Sequence, residues 1–538
     1  MRSTLVAGLT ACLVSRAAGQ LNFATQQISS GAAPTPVYSG PVTTVGDFNG
    51  DGFPDLAFRE DSATVVFRVL WGPQFAPPYT VVVVSSLSNV TLVPRSGDAD
   101  GDGYDDLLIG AVTFGGPSAS PGQIFIRYGP SLTTETVVTY TLPGGSVLLG
   151  AFYEVADLNG DGTADLVSWI TTGPPYWVGP SYLQVLYGPG FSTGPTLSAP
   201  AGAGGSGFGA TSVDGDFTGD GLPDILAVTS AGTGQGVVLF PGPSFQSSTA
   251  TLLANVPTSI FGSFLWAGEL TGDGIADGVL ATSPGTSAGG LGMDLWLVPS
   301  PGFGTTGPIV GPWGCCYPQA ITAGDMDGDG SRDLLVGTGN GQFNNPGIVW
   351  LTYASSFTTT QWLAGPSSGA NLGWVIIAKD VDGDGFREVI SPATGDNLVM
   401  VFRPKTLTAS GTGVSLSAGG SVSLSIDASP SHGGEAYLIV CSTTGTYPGT
   451  LVGNIRVPIL VDSFTFAALT VVNSPVLANF AGFLDANGRA TATLTVPPGA
   501  FTNPALVGLT INLADVVLNP ALTAVQVSSN PVSVTLLP

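Results

Sequence analysis

Short apolar runs separated by glycine, proline and small polar residues recur through the first 405 residues. Leu107–Ile109, Ile225–Val228 and Leu334–Val336 are typical, and their length and aliphatic content predict strands rather than helices. Further along each unit a second strand is predicted that often ends in Gly-Pro, as in Phe67–Pro73. A third, less regular strand follows, and another strand leads into each unit. The pattern therefore predicts four short strands per unit.

A ten-residue motif, Asp-x-Asp/Asn-Gly-Asp-Gly-x-x-Asp-Leu, precedes the first apolar run of every unit. Its seven copies, which we number loops one to seven, begin at Asp47, Asp98, Asp157, Asp216, Glu269, Asp325 and Asp380. They lie about 55 residues apart, a period typical of propeller blades or arrays. Seven four-stranded units predict a seven-bladed β-propeller over residues 20–405. An open array of hairpins is the alternative, although one such unit buries too little apolar surface to stand alone.

The pattern changes after Lys405. Residues 406–538 alternate apolar and small polar positions, as in Val422–Ile426, and this predicts half-buried strands. The sequence Asp-Ala-Asn-Gly at Asp485–Gly488 predicts a hairpin turn. About eight or nine such strands predict a C-terminal β-sandwich of unknown role. The expected fold class is therefore all-β, a seven-bladed β-propeller followed by a β-sandwich.

Residues 1–19 have the pattern of a secretory signal peptide. Met1-Arg2 supplies a positive charge, Thr4–Val14 is apolar, and Ala17–Gly19 offers small residues for cleavage. Two alternatives remain, a lipoprotein signal at Leu9–Cys12 and a first core strand. No later apolar run is long enough to predict a membrane span. We therefore expect a secreted or cell-surface protein.

The charge of the chain excludes some classes of partner. The 538 residues hold 37 Asp and Glu but only 13 Lys and Arg, a net charge of −24 with 9% of residues charged. Scarce bases argue against nucleic acid and anionic membranes as partners. The single histidine, His432, lies between Asp427 and Glu435, where we expect a surface loop without catalytic function.

Cysteine pairing is left open by the sequence. Three cysteines, Cys315, Cys316 and Cys441, follow the predicted signal peptide. Because three is odd, at least one thiol is unpaired in a monomer. A Cys315–Cys316 bridge and a bridge from either residue to Cys441 are both compatible with the sequence.

Most acidic residues belong to the seven loops, where alternate positions can direct oxygen atoms at one centre. Positions 1, 3, 5 and 9 would supply side chains and position 7 its carbonyl, a set of hard ligands that suits up to seven Ca²⁺ ions. Zinc and copper would require His or Cys, which the loops lack. The predicted ligands are Asp47, Asn49, Asp51, Phe53 and Asp55 in loop one; Asp98, Asp100, Asp102, Tyr104 and Asp106 in loop two; Asp157, Asn159, Asp161, Thr163 and Asp165 in loop three; Asp216, Thr218, Asp220, Leu222 and Asp224 in loop four; Glu269, Thr271, Asp273, Ile275 and Asp277 in loop five; Asp325, Asp327, Asp329, Ser331 and Asp333 in loop six; and Asp380, Asp382, Asp384, Phe386 and Glu388 in loop seven.

Two features of the loops refine this prediction. An EF-hand would carry a glutamate at position 12, and no loop has a carboxylate there. Metal-free Asx-rich turns are the simpler alternative, but seven copies with an acid at position 9 favour a metal. Loops two, six and seven carry four ligand carboxylates each, so they are expected to bind calcium most tightly, and loop five least tightly.

The units resemble the FG-GAP repeats, also called VCBS repeats, of the integrin α-subunit propeller and of many secreted bacterial proteins. Phe208-Gly209 and Phe261-Gly262 match the Phe-Gly that precedes the calcium loop, and Leu149-Gly150 and Leu372-Gly373 are close to it. Repeats two and six depart from this part of the pattern. The resemblance implies a closed seven-bladed propeller with calcium loops on one face and partners often on the other. A strand near Leu21–Phe23 would complete the last blade.

The expected function is a secreted, calcium-binding, non-enzymatic module for adhesion to an extracellular protein or glycan. A carbohydrate-active protein, either a lectin or a polysaccharide lyase or hydrolase, is one alternative, and a structural cell-surface component is another. Candidate contact residues are Tyr176, Trp177, Trp266 and Trp313, although core packing is the more common role of such side chains.

Overall fold

The computed structural model describes residues 23–29, 43–60, 66–83, 91–112, 122–139, 153–171, 181–199, 208, 212–231, 234–246, 251–256, 265–282, 294–300, 320–327, 331–338, 346–353, 360–499 and 503–538. The predicted signal peptide, Tyr176, Trp177, Trp313, Cys315 and Cys316 lie outside these residues. Within them, no helix has the length and apolar character needed to cross a membrane.

Residues 23–404 contain a repeated series of antiparallel strands. They are β1 Phe23–Ser29, β2 Thr43–Gly46, β3 Asp55–Glu60, β4 Val66–Leu70, β5 Tyr79–Val83, β6 Thr91–Gly97, β7 Asp106–Val112, β8 Gln123–Arg127, β9 Glu135–Thr139, β10 Tyr153–Ala156, β11 Asp165–Thr171, β12 Ser181–Tyr187, β13 Ser192–Ser198, β14 Ser212–Gly215, β15 Asp224–Ala231, β16 Gly234–Phe240, β17 Thr251–Val256, β18 Leu265–Gly268, β19 Asp277–Thr282, β20 Asp294–Val298, β21 Ala320–Gly324, β22 Asp333–Gly337, β23 Ile348–Thr352, β24 Thr360–Ala364, β25 Ile377–Lys379, β26 Glu388–Ala393 and β27 Leu398–Pro404.

These strands form seven sheets in chain order. Sheets one to four are β2–β5, β6–β9, β10–β13 and β14–β17, sheet five has the described strands β18–β20, and sheet six is β21–β24. The second strand of each sheet is buried on both faces, as all five residues of β22 are, which explains its continuous apolar run. The outer strand β5 buries only Val82. The repeated four-stranded sheets predicted from the sequence are therefore confirmed.

The seventh sheet is completed by the beginning of the chain. Strand β1 pairs with β27, with Phe23 opposite Pro404, so the sheet order is β1-β27-β26-β25. This pairing agrees with the strand expected near Leu21–Phe23. It joins residues that are far apart in sequence, and it therefore ties the two ends of the repeat region together.

Consecutive sheets bury their apolar faces against one another. Phe67 of sheet one and Leu107 of sheet two lie in one buried cluster, and equivalent clusters join sheets two and three, three and four, five and six, and six and seven. Strands β14 and β18 bring sheets four and five into contact. A further cluster contains Phe58 of sheet one and Val401 of sheet seven. The seventh sheet therefore contacts the first as well as the sixth.

Residues after Lys405 form a separate β region. Its strands are β28 Leu407–Ala409, β29 Gly413–Ser415, β30 Gly420–Asp427, β31 Ala436–Ser442, β32 Thr450–Val452, β33 Ile455–Val457, β34 Leu477–Ala478, β35 Ala481–Phe483, β36 Arg489–Val496, β37 Thr510–Leu518, β38 Val525–Ser528 and β39 Val532–Leu537. One sheet has the order β28-β30-β36-β34, and another has the order β29-β39-β37-β31-β35 with β38 beside β37. Strands β32 and β33 form a hairpin.

The two larger sheets share one apolar core. Leu424 and Leu494 of the first sheet are buried in the same cluster as Ile439 and Leu513 of the second. Along β30 buried and exposed residues alternate, which confirms the half-buried strand predicted there. Cys441 is buried in this core and has no disulfide partner among the described residues.

Two local predictions for the C-terminal region were wrong, and one helix was not predicted. The described residues of the region form twelve strands rather than eight or nine. It also contains a helix, α1 Ser463–Thr470, whose first turn is closed by a capping box between Asp462 and Thr465. Asp485–Gly488 does form a turn, with Gly488 N donating to Asp485 O at 3.0 Å. However, it links β35 and β36, which belong to different sheets, and is therefore a corner rather than a hairpin.

Candidate metal centres

Every ten-residue loop connects the first and second strands of its sheet. In loop one, Asp47 directly follows β2 and Asp55 is the first residue of β3. The ninth residue likewise begins β7, β11, β15, β19, β22 and β26. The repeat therefore places all seven loops at the same end of their sheets.

Neighbouring loops are joined by backbone hydrogen bonds. The eighth residue of one loop donates its N–H to the first-position carbonyl of the preceding loop, from Asp105 to Asp47 at 3.0 Å, from Ala164 to Asp98 at 2.7 Å and from Ala276 to Asp216 at 2.8 Å. Loops one to three therefore lie side by side, and so do loops four and five.

In loops one to five and seven, the acidic side chains at positions 1 and 5 accept hydrogen bonds from backbone N–H groups of the same loop. In loop two, Asp98 accepts N–H groups from Gly101 at 2.7 Å and Gly103 at 2.9 Å, and Asp102 accepts the Tyr104 N–H at 3.0 Å. The two glycines have φ of +82° and +89°, values that disfavour other residues. The fifth-position acids of loops one, three, four, five and seven also accept the seventh N–H.

The acid at position 9 anchors the loop to the sheet, a role that the sequence analysis missed. Asp106 accepts N–H groups through both oxygens, from Ala99 and from Gly129, each at 2.8 Å. The ninth acids of loops one, three, four and five are bonded in the same way. All of them are fully buried, and burial raises the pKa of Asp55 and of Asp106 to about 7. The recurring Gly after the third strand signals this contact.

The structure brings three acidic side chains together in each of three loops. The groups are Asp98, Asp100 and Asp106; Asp325, Asp327 and Asp333; and Asp380, Asp382 and Glu388, each with its nearest ligand oxygens within 4.8 Å of one another. They are positions 1, 3 and 9 of loops two, six and seven, the three loops with the most carboxylates. Their oxygen-only donors are those that a hard divalent cation prefers. Aspartate clusters typical of FG-GAP calcium sites are thus present.

Other predicted ligands are placed differently. The fifth-position residues Asp51, Asp102, Asp161, Asp220 and Asp273 are exposed and lie outside these groups. At position 3, Asn49 and Asn159 donate to the fifth-position acid of their loop. Thr218 and Thr271 donate their N–H groups to the ninth acid. Glu269 accepts the Gly272 N–H at 2.6 Å, and Asp329 lies outside the described residues.

Loop seven differs from loops one to five because its fifth-position acid is buried: Asp384 is 7% exposed, whereas its counterparts are exposed. Glu388 is fully buried and accepts the Val381 N–H through Oε2 at 2.8 Å. Its Oε1, like Oδ1 of Asp382, has no hydrogen-bond partner among the described residues. Arg403 pairs with the other oxygen of Asp382 at 2.8 Å. Burial, reinforced by the neighbouring acids, raises the pKa of Glu388 and Asp384 well above their ordinary values.

The two unpartnered oxygens show whether the residues of loop seven suit a cation. A buried carboxylate oxygen without a donor is costly, and a cation would satisfy Glu388 Oε1 and Asp382 Oδ1 together. The residues of loop seven therefore fit a divalent cation.

The expectation that His432 lies in a surface loop was wrong. His432 is 1% exposed, and its Nδ1 lies 2.8 Å from Glu435 Oε2. Its ring contacts Phe386 of loop seven, with the centroids 6.2 Å apart. The sequence carried no sign of this contact because the two residues belong to different regions.

Two family models match the chain. The model described as "FG-GAP-like repeat" matches residues 47–109, and the model described as "FG-GAP repeat" matches residues 317–351. The matches cover loops one, two and six. They agree with the resemblance found in the motifs.

A curated relative and a solved structure are also similar to parts of the chain. The phosphatidylinositol-glycan-specific phospholipase D of Mus musculus is 30% identical over 166 residues, which are 27% of this chain and 20% of the mouse protein. This distant homology therefore spans about a fifth of that relative. The crystal structure of AofleA from Arthrobotrys oligospora aligns with a TM-score of 0.38 and 10% identity, covering 64% of this chain and 90% of that one.

Proposed function

As the chain is an FG-GAP repeat protein, we propose that it is a secreted, calcium-binding β-propeller that acts as a non-enzymatic binding or adhesion module. Support for a closed propeller comes from the packing of each sheet on the next and of the seventh on the first. The pairing of β1 with β27 would hold the ring closed, as sheets closed on themselves require.

Calcium is proposed for the loops because of the donors that they bring together. Positions 1, 3 and 9 of loops two, six and seven would hold the ion, and calcium would supply the positive charge that these carboxylates lack. The observation that carries this proposal is the buried, unpartnered Oε1 of Glu388 beside Asp380 and Asp382. In the other loops, amides or hydroxyls replace one of these carboxylates, and weaker binding is proposed.

The calcium proposal is tested by thermal unfolding of the full chain. A cation that binds only the folded state raises the melting temperature in proportion to its binding free energy. We expect millimolar calcium to raise the melting temperature of chelator-treated protein by several degrees, and magnesium to raise it less. An equal melting temperature in calcium and in excess chelator would overturn the proposal.

The binding role is proposed for the end of the sheets opposite the loops. At the loop end, the C-terminal region contacts loops one, six and seven, through Arg456 on Phe53, Ser431 on Asp327 and Ser528 on Asp384. That end is therefore partly occupied by the chain itself, whereas partners of proteins with this repeat often bind the opposite face. A glycan array and a protein pull-down on the secreted chain would test the role. Binding to neither class would contradict it, and release of sugar products would favour the carbohydrate-active alternative.

A further inference from the structure

The C-terminal region contacts loop seven through backbone hydrogen bonds. Arg456 N donates to Gly383 O at 2.6 Å, and Ser528 N donates to Asp384 O at 2.8 Å. A side chain on Gly385 would approach Gln526 O to 2.9 Å. The loop and the C-terminal strands β33 and β38 are therefore in close contact.

Phe386, the seventh residue of the same loop, enters the C-terminal core. It is 1% exposed and belongs to the buried cluster that otherwise consists of residues from the C-terminal region. The ring of His432 lies against its ring, and the imidazole Nδ1 is 2.8 Å from Glu435 Oε2. A buried phenylalanine contributes several kcal/mol to such packing, so docking and the conformation of loop seven depend on each other.

Loops six and one extend this contact. Ser431 Oγ donates to Asp327 O at 2.8 Å, and Ser429 Oγ lies 3.3 Å from Asp327 Oδ2. The Arg456 guanidinium lies 4.1 Å above the ring of Phe53, the seventh residue of loop one. The C-terminal region therefore covers three loops that adjoin around the junction of sheets seven and one.

The contact with the C-terminal region explains why loop seven is less exposed than loops one to five. Its fifth residue, Asp384, is 7% exposed, whereas the fifth residues of loops one to five are exposed. A cavity of about 310 Å³ between the two regions is lined by Asp382, Asp384, Arg403 and Arg456. Asp382 is therefore the member of the acidic group that lines this cavity.

The charges under the cover do not balance. Loop seven contributes four acids, Asp380, Asp382, Asp384 and Glu388. The described residues of the cavity bring only two guanidinium groups to them, that of Arg403, which pairs with Asp382, and that of Arg456. Burying these carboxylates, completely in the case of Glu388 and almost completely in the case of Asp384, without enough partners is costly, and undocking of the C-terminal region would expose them to water. A bound cation would offset this free-energy cost while the C-terminal region stays docked.

We propose that binding of a divalent cation in loop seven and docking of the C-terminal region onto the loops are thermodynamically linked. Loop seven would then couple cation binding to the contact between the repeat region and the C-terminal region. This inference rests on the proposed calcium function. Because linkage is reciprocal, calcium strengthens docking and docking raises the calcium affinity of loop seven by the same factor. Loop two has the same ligand pattern but no contact with the C-terminal region among the described residues, so calcium binding to loop two should not be linked to docking.

Hydrogen exchange at the two interface amides measures the docking directly. With calcium present, the N–H groups of Arg456 and Ser528 should exchange slowly, and chelation should speed their exchange about tenfold or more. Asp380→Asn should produce the same increase in saturating calcium. The matched substitution Asp98→Asn in loop two should leave these amides protected although it weakens a site.

A second variant tests the reverse direction of the linkage without altering a ligand. His432→Ala removes the ring that packs on Phe386, and it should weaken the binding of one calcium ion several-fold while the binding of the others is unchanged. If calcium binds but the exchange rate of neither amide changes on chelation or in Asp380→Asn, the proposed linkage is wrong and the calcium function stands. If no calcium binds to the chain at all, both proposals fail.

Discussion

The ring of Phe386 in loop seven packs edge-on against the ring of His432 in the C-terminal region, with an angle of 84° between the planes. One residue of a repeated loop is thus part of the core of another region. The corresponding residue of loop two, Tyr104, is only partly buried and packs on Gly50 of loop one. The same loop position therefore serves different contacts in different repeats.

Phe386→Ala should destabilise the C-terminal region. Truncating a fully buried phenylalanine costs about 3–5 kcal/mol, whereas Tyr104→Ala at the matched, partly buried position should cost markedly less. Denaturant unfolding of both variants, followed by a probe in each region, measures the difference. Equal losses would show that Phe386 does not contribute to the C-terminal core.

Asp106→Ala should destabilise sheet two even in the absence of calcium. It leaves the buried N–H of Ala99 and the partly buried N–H of Gly129 without acceptors, and an unpaired buried group costs about 1–3 kcal/mol. Asp102→Ala in the same loop is the control, because Asp102 is exposed. Melting both variants in excess chelator separates the anchoring role from metal binding. A larger effect of Asp102→Ala would contradict the anchoring role of position 9.

Gly50→Ala should be more harmful than Gly52→Ala. Both glycines have positive φ, +73° and +86°, so both substitutions strain the backbone by about 1–2 kcal/mol. Only at Gly50 would the new Cβ also lie 2.4 Å from the ring of Tyr104, whereas at Gly52 it would meet nothing within 4 Å. The double variant Gly50→Ala, Tyr104→Ala should recover this difference in unfolding free energy, and failure to recover it would refute the contact between loops one and two.

Asp515 should make the stability of the C-terminal region depend on pH. Burial raises the pKa of this carboxyl from 3.8 to about 8, so the folded state holds the proton that the unfolded state releases. The contribution of Asp515 to the free energy of unfolding is therefore greatest below pH 4, falls as the pH rises toward 8 and then levels off. Asp515→Asn should remove this pH dependence. The stability of the variant relative to the wild-type protein should therefore be higher at pH 8–9 than at pH 5. Parallel curves of unfolding free energy between pH 5 and 9 would contradict the assignment.

The sequence predicts well what each repeat contains by itself. The motif, the apolar run after it and the Gly-Pro end of the next strand are local signals, and they located the loops and the central strands. The identity of the residues also showed which loops, two, six and seven, bring three carboxylates together. The pairing of β1 with β27 agrees with the closing strand that the resemblance to FG-GAP repeats implied.

Contacts between distant parts of the chain were not predictable in this way. His432 is buried against Phe386, a residue of the repeat region. At the corner Asp485–Gly488, the carbonyl of Ser429 leaves no room for a Cβ at Gly488. Neither contact produces a period in the sequence. Helix α1 was missed because its residues, Ser-Phe-Thr-Phe-Ala-Ala-Leu-Thr, include several that favour strands, and a capping box outweighs that preference.

Elemental analysis of the purified chain tests the calcium account most directly. After gel filtration in low-calcium buffer, the wild-type protein should retain several calcium ions per chain, and Asp98→Asn and Asp380→Asn should each retain about one fewer. Asp396→Asn, a carboxylate outside the loops, should retain the wild-type number. A wild-type chain without bound calcium, or loop variants with an unchanged calcium content, would contradict the account.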